Sequence, residues 1–144
     1  MTLIVQARYL VTVTLLLSKS GSGVRGHKAK MSTEEKGTAV NFSVAMVTAP
    51  SMEVAQSLSR NIIQRKLAAC VNIIPQVVSI YEWQGNIEES SECLMMIKTQ
   101  SRHIPELTSF VLAHHPYKVP EVISLKISEG NEAYLKWIEQ STQK

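Results

Sequence analysis

The chain has 144 residues, of which 44% are hydrophobic and 19% charged, the size and composition of one globular domain with a real core. Residues 1–30 hold five basic and no acidic residues, and the remainder holds ten basic and twelve acidic ones, a mildly acidic folded part that argues against a nucleic-acid partner. No aspartate occurs anywhere, which excludes an Asp-led calcium loop and an aspartate dyad.

Residues 1–40 read as a flexible extension ahead of a domain spanning 41–144. The run Leu3–Leu17 is apolar but broken by Gln6 and Arg8. Its uninterrupted part of about nine residues is half of what a spanning helix needs, so no transmembrane span is expected. Ser18–Gly26 has a Ser/Gly linker composition with basic residues. Three readings stand for this segment: a secretory signal, a mitochondrial presequence, or an extension ahead of an internal start at Met31 that would leave a cytoplasmic domain.

From Phe42 the elements come in clear order. Phe42–Thr48 is β-prone. Ser51 is a good helix N-cap with Glu53 in the first turn, and Ala55, Leu58 and Ile62 form one apolar stripe ending near Leu67. Ala68–Trp83 is β-rich throughout, with Val77, Ser79, Tyr81 and Trp83 alternating on one face. Sixteen residues at ~3.3 Å each reach about 50 Å, well past the ordinary strand. Pro75 cannot donate to a ladder and marks an edge or a bulge. Gln84-Gly85-Asn86 is a hairpin turn, and Glu92–Thr99 returns as the partner strand. The distal half of the first strand is therefore expected to lack a partner within one sheet, an arm that another chain would cover.

Ser101 opens a second helix with Ile104, Leu107, Val111 and His114 on one stripe. Glu121–Ile127 is a strand with Ile123, Leu125 and Ile127 on one face, and Asn131 caps a last helix carrying Tyr134, Leu135, Trp137 and Ile138. The order β-α-β-β-α-β with a helix appended is an α+β, ferredoxin-like sandwich. Cys70 and Cys93 each lie in an apolar run and are expected as reduced thiols, a disulfide requiring that their segments pair in register.

The richest stretch chemically is Ala113–Val122. His114 and His115 adjoin, Pro116 and Pro120 stiffen the connection after them, and Glu121 precedes an apolar run. Imidazole and carboxylate are metal ligands or acid/base groups. His114 equally suits the end of a helix, where it serves the dipole and the last carbonyls.

Several segments together resemble the divalent-cation tolerance proteins called CutA. They are Val47-Thr48-Ala49-Pro50, Lys66–Asn72, Ile80–Gly85 and Ile97-Lys98-Thr99, then His114-His115-Pro116-Tyr117 with Pro120-Glu121. The resemblance covers about residues 42–141. It implies a homotrimer whose long hairpin arms pair edge to edge, with Cu²⁺ or another divalent cation bound at His114 and Glu121. It also implies a signalling-like alternative, and for animal members, which the extension here resembles, a link to acetylcholinesterase anchoring and maturation. In bacterial members the residue before Thr-Ala-Pro is often a cysteine proposed as a copper ligand; here it is Val47. Two N/O ligands without a thiolate suit divalent copper or zinc better than Cu(I).

Two functions are implied. One is a trimeric metal-responsive protein. The other is a small-ligand or protein-binding trimer using a cleft between subunits lined by Trp83, Lys98, His115, Tyr117 and Glu121, where ordinary interface packing also explains Trp83 and Tyr117. No nucleophile elbow, P-loop, dinucleotide fingerprint or metalloprotease helix occurs, so neither an enzyme nor an organic cofactor is expected.

Overall fold

Alternation at the first strand decides where the core lies. In the computed structural model, which describes residues 41–144, β1 (Phe42–Ala49) buries Ala45, Val47 and Ala49 on one face. The expectations for residues 1–40 lie outside that range. Helix α1 (Met52–Gln64) starts at Ser51, whose Oγ accepts from the Val54 amide at 3.3 Å. It buries Ala55, Leu58 and Ile62, the stripe read from the sequence.

Strands β2 (Cys70–Trp83) and β3 (Asn86–Gln100) form the long hairpin. The ladder jumps from Ile74↔Leu94 to Val77↔Glu92, a bulge at Pro75 and Gln76, with Gln76 at φ 59°. Gln84 and Gly85 both take positive φ between the paired Trp83 and Asn86, as a tight two-residue hairpin turn requires. Here the structure corrects the sequence reading. The return strand begins at Asn86 rather than Glu92, so the distal half of β2 is paired along its length. Glu88, Glu89, Ser90 and Ser91 have low strand propensity, and register with β2 holds them extended. What stays open is the outer edge of β2, because the sheet order is β2-β3-β1-β4, antiparallel at every step.

A single 3-10 turn (Ser101–His103) leads into α2 (Ile104–His114), which buries Leu107, Phe110 and Val111. Helices α1 and α2 cover the face carrying Ala45, Val47, Met95 and Ile97. Burying side chains such as Ile62, Leu107 and Ile97 there stabilises the fold by about 1.5–3 kcal/mol each. Strand β4 (Ile123–Lys126) is shorter than the expected Glu121–Ile127. Ile123 and Leu125 are 50% and 62% exposed, while Ile127, at the end of the face they share, packs against Phe42, Leu135 and Ile138.

Helix α3 (Glu132–Ser141) is capped by Asn131, whose side-chain oxygen accepts from the amides of Ala133 and Tyr134. Its Leu135 and Ile138 pack on Phe42. Phe42 and Gln100 are cross-strand partners one position out of phase with Ala45 and Ile97, so α3 covers one end of the sheet's second face. Tyr134 and Trp137 stay exposed. Cys70 stands opposite Lys98 and Cys93 opposite Ala49, and both thiols are free. The architecture is the ferredoxin-like sandwich expected from the element order, with one helix added.

Candidate functional site

The connection from α2 to β4 starts with two histidines that do different things. His114 ends α2, and its Nδ1 donates to the Phe110 carbonyl at 2.7 Å. A carbonyl only accepts, so the ring proton sits on Nδ1 and Nε2 keeps its lone pair. The ring stacks on Phe110 with centroids 4.2 Å apart, and the Arg65 guanidinium lies 5.2 Å from the same Phe110 centroid. His114 is exposed and lines a groove between α1 and α2 with Val54, Leu58 and Asn61.

His115 is buried and committed at both nitrogens. Nδ1 accepts from the Tyr117 amide at 3.1 Å, so Nε2 carries the proton and donates to the Thr48 carbonyl at 2.9 Å. The adjacent residues thus take opposite tautomers. His114 has a free ligating nitrogen, and His115 is a brace between this connection and the end of β1.

The connection then crosses to the arm. Pro116, Tyr117, Lys118 and Val119 face Tyr81 and Trp83 across a cleft of about 330 Å³. Of the four pocket residues expected from the sequence, Trp83 and Tyr117 meet in this cleft. His115 stands behind it, its ring edge-on to Tyr117 at 5.0 Å. Lys98 lies elsewhere, opposite Val44 and Cys70 in the sheet. It is buried and donates to the Asn72 side-chain oxygen and to the Met96 carbonyl. Glu121 comes directly after the buried Pro120 and is itself half-buried.

One residue of this region was not singled out from the sequence. Glu92 is only 6% exposed and accepts from Ser79 Oγ at 2.7 Å. Burial and the neighbouring Glu92 carboxylate push the Tyr117 pKa up to about 12. The signal available was alternation: Ser79, Tyr81 and Trp83 share a face, and so do Glu88, Ser90 and Glu92 on the partner strand. Tyr81 and Ser90 hydroxyls meet across that pair at 3.0 Å.

For a metal ion, the donor set is small. Among the described residues no three His, Cys, Asp or Glu side chains gather as a cluster. Val47, where a cysteine would supply a thiolate, is fully buried in the apolar core. His114 has the arrangement typical of a ligating imidazole, one ring nitrogen donating to a backbone carbonyl and the other free. His114 offers one free imidazole nitrogen and Glu121 a half-buried carboxylate, and without a thiolate this donor set does not fit a closed or Cu(I) site.

Among known proteins, the family model described as CutA1 divalent ion tolerance protein matches residues 43–141. Protein CutA of Mus musculus is 55% identical over 103 residues, covering 72% of this chain and 58% of that protein. The match thus spans less than two thirds of that relative. Protein CutA of Bos taurus is 44% identical over 142 residues, covering 99% of this chain and 80% of that one. The crystal structure of CutA1 from Oryza sativa superposes with a TM-score of 0.71 at 45% identity, covering 74% of this chain and 97% of the rice chain.

Proposed function

Because this chain belongs to the CutA1 divalent ion tolerance family, we propose that it serves divalent-ion tolerance as a homotrimer that binds Cu²⁺ or a related ion weakly through His114 and Glu121. The observation that carries this reading is the His114 tautomer. With Nδ1 tied to the Phe110 carbonyl, Nε2 is the ring nitrogen left to face a metal. Glu121 supplies the hard oxygen. With two protein ligands, water or a second subunit completes the shell, and affinity is modest. His114 closes α2 and Glu121 stands on the approach to β4, and no catalytic step is assigned to either.

Assembly is part of the reading. Both outer strands of the sheet, β2 and β4, have open edges, and each presents exposed apolar side chains: Ile74, Val78 and Ile80 on one, Ile123 and Leu125 on the other. Two different edges pairing head to tail close into a ring, which removes every open edge.

Isothermal titration with Cu²⁺ and Zn²⁺ tests the site. His114→Ala is expected to weaken both about tenfold or more. Unchanged ion affinity in His114→Ala would remove the metal site.

A second reading is favoured by the cleft between Trp83 and Tyr117. An aromatic-lined cleft of this size suits a small organic ligand, as a signalling-type trimer would need. Fluorescence of Trp83 on titration with small-molecule panels tests it, and a response surviving Trp83→Leu would count against that location. A protein partner such as acetylcholinesterase rests on the family resemblance; co-sedimentation of the two purified proteins tests it.

A further inference from the structure

The arm carries charge of one sign only. Residues 76–92 contain Glu82, Glu88, Glu89 and Glu92 and no Lys or Arg. Glu88 and Glu92 lie on the same face as Tyr81 and Trp83, by register. Glu92 is buried, and among the described residues the only ion pair is Lys144 with Glu106. A buried carboxylate that meets the Ser79 hydroxyl but no cation keeps its field in low-dielectric surroundings. Tyr117 is close enough to Glu92 for that carboxylate, after burial, to raise the phenol pKa to about 12. The Tyr117 ring forms a wall of the cleft. Tyr81 and Trp83 add two further π faces, and a cation over such faces is attracted by their quadrupoles.

We infer that the cleft between the arm and residues 116–119 binds a small organic cation, an alkylammonium or guanidinium held over Tyr81, Trp83 and Tyr117 with Glu92 as the charge behind them. The inference rests on the small-ligand reading of this cleft and names the class of ligand. The volume of about 330 Å³ is at the small end of ligand sites. Lys118 stands at the rim as the one like charge among the lining residues. It is exposed and on a long stem that can turn to solvent. It therefore tunes affinity without blocking the site.

The experiment is a Trp83 fluorescence titration, checked by isothermal calorimetry, on the full chain. The probes are choline, agmatine, the neutral choline isostere 3,3-dimethyl-1-butanol, and ATP as an anion. Choline or agmatine is expected to bind at least about tenfold tighter than the neutral isostere, the contribution of a desolvated cation over aromatic faces. Trp83→Leu should lose about tenfold, and Glu92→Gln a similar factor. Lys118→Met should tighten the cation several-fold. Trp83 is half-exposed, so Trp83→Leu keeps the test valid if Glu92→Gln fails to fold. Equal binding of choline and its neutral isostere, or tighter ATP that Lys118→Met abolishes, would overturn the cation assignment and leave the small-ligand reading standing. No response to any probe would overturn both.

Discussion

His115 Nε2 lies 2.9 Å from the Thr48 carbonyl oxygen, so the chain leaving α2 is fastened to the end of β1 before it reaches the arm. The neighbouring His114 makes no contact of this kind across the fold; its ring bonds within its own helix. The two histidines therefore separate stability from binding. His115→Ala breaks two hydrogen bonds and leaves a carbonyl without its donor, and should cost about 2–3 kcal/mol in chemical denaturation. It should disorder Tyr117 and weaken ligand binding in the cleft. His114→Ala should cost under about 1 kcal/mol while weakening ion binding. A reversal of the two stability effects would show that the brace has been misassigned.

Most of the fold was legible because its signals are local. Ser51 with Glu53 marks a helix start by capping chemistry, Pro75 marks a bulge because it lacks an N–H, and Gln84-Gly85 sets a turn through positive φ. Asn86–Ser91 was not legible as strand, since its polar residues hold the extended form only through pairing with β2. The site divided in the same way. His114 and Tyr117 stand out in a rigid connection, whereas Glu92 looks like one more acid until the fold buries it. Lys98 reads as a pocket cation but is consumed by Asn72 and Met96 inside the sheet.

A pH effect should originate at the far end of the molecule. His103 is buried, with Nε2 3.1 Å from the Thr142 carbonyl at the end of α3. Burial, then the Arg102 charge, lower its pKa below the ordinary 6.5; the hydrogen bond with Thr142 pulls it back up, Lys144 adds a lesser lowering, and Glu106 a lesser raising. A histidine whose folded pKa lies below its unfolded pKa favours the neutral form in the native state. Stability is therefore complete above about 6.5 and is lost as pH falls from there through the lower folded value. Thermal melts across this range should show a slope that His103→Gln flattens. An equal slope in the variant would place the titrating group elsewhere.

Truncation separates the extension from the domain. Removing residues 1–30 is expected to leave the melting temperature and the number of chains per assembly unchanged, because the segment is basic, interrupted and joined through a Ser/Gly stretch. In cells the truncated form should change its location. A melting temperature lower by many degrees would show that the extension contributes to the core.

Assembly should fail at the open edge of β2. Ile80 is 69% exposed and Val78 is also exposed, on the distal half that β3 supports along one side only. Within one chain a charge at Ile80 meets solvent, so Ile80→Lys should leave the monomer fold and its circular dichroism intact. Between chains the same charge would enter an apolar strand pairing and be desolvated without a partner. Sedimentation equilibrium at micromolar concentration should give three times the 16.0 kDa chain mass for the parent protein and a shift toward one chain mass for Ile80→Lys. Leu125→Lys, on the opposite open edge, should do the same if β2 of one subunit meets β4 of the next. Dissociation by Ile80→Lys alone would mean that arms pair with arms. A parent protein sedimenting at one chain mass would end the trimer reading, and the exposed apolar residues of both edges would then need another cover.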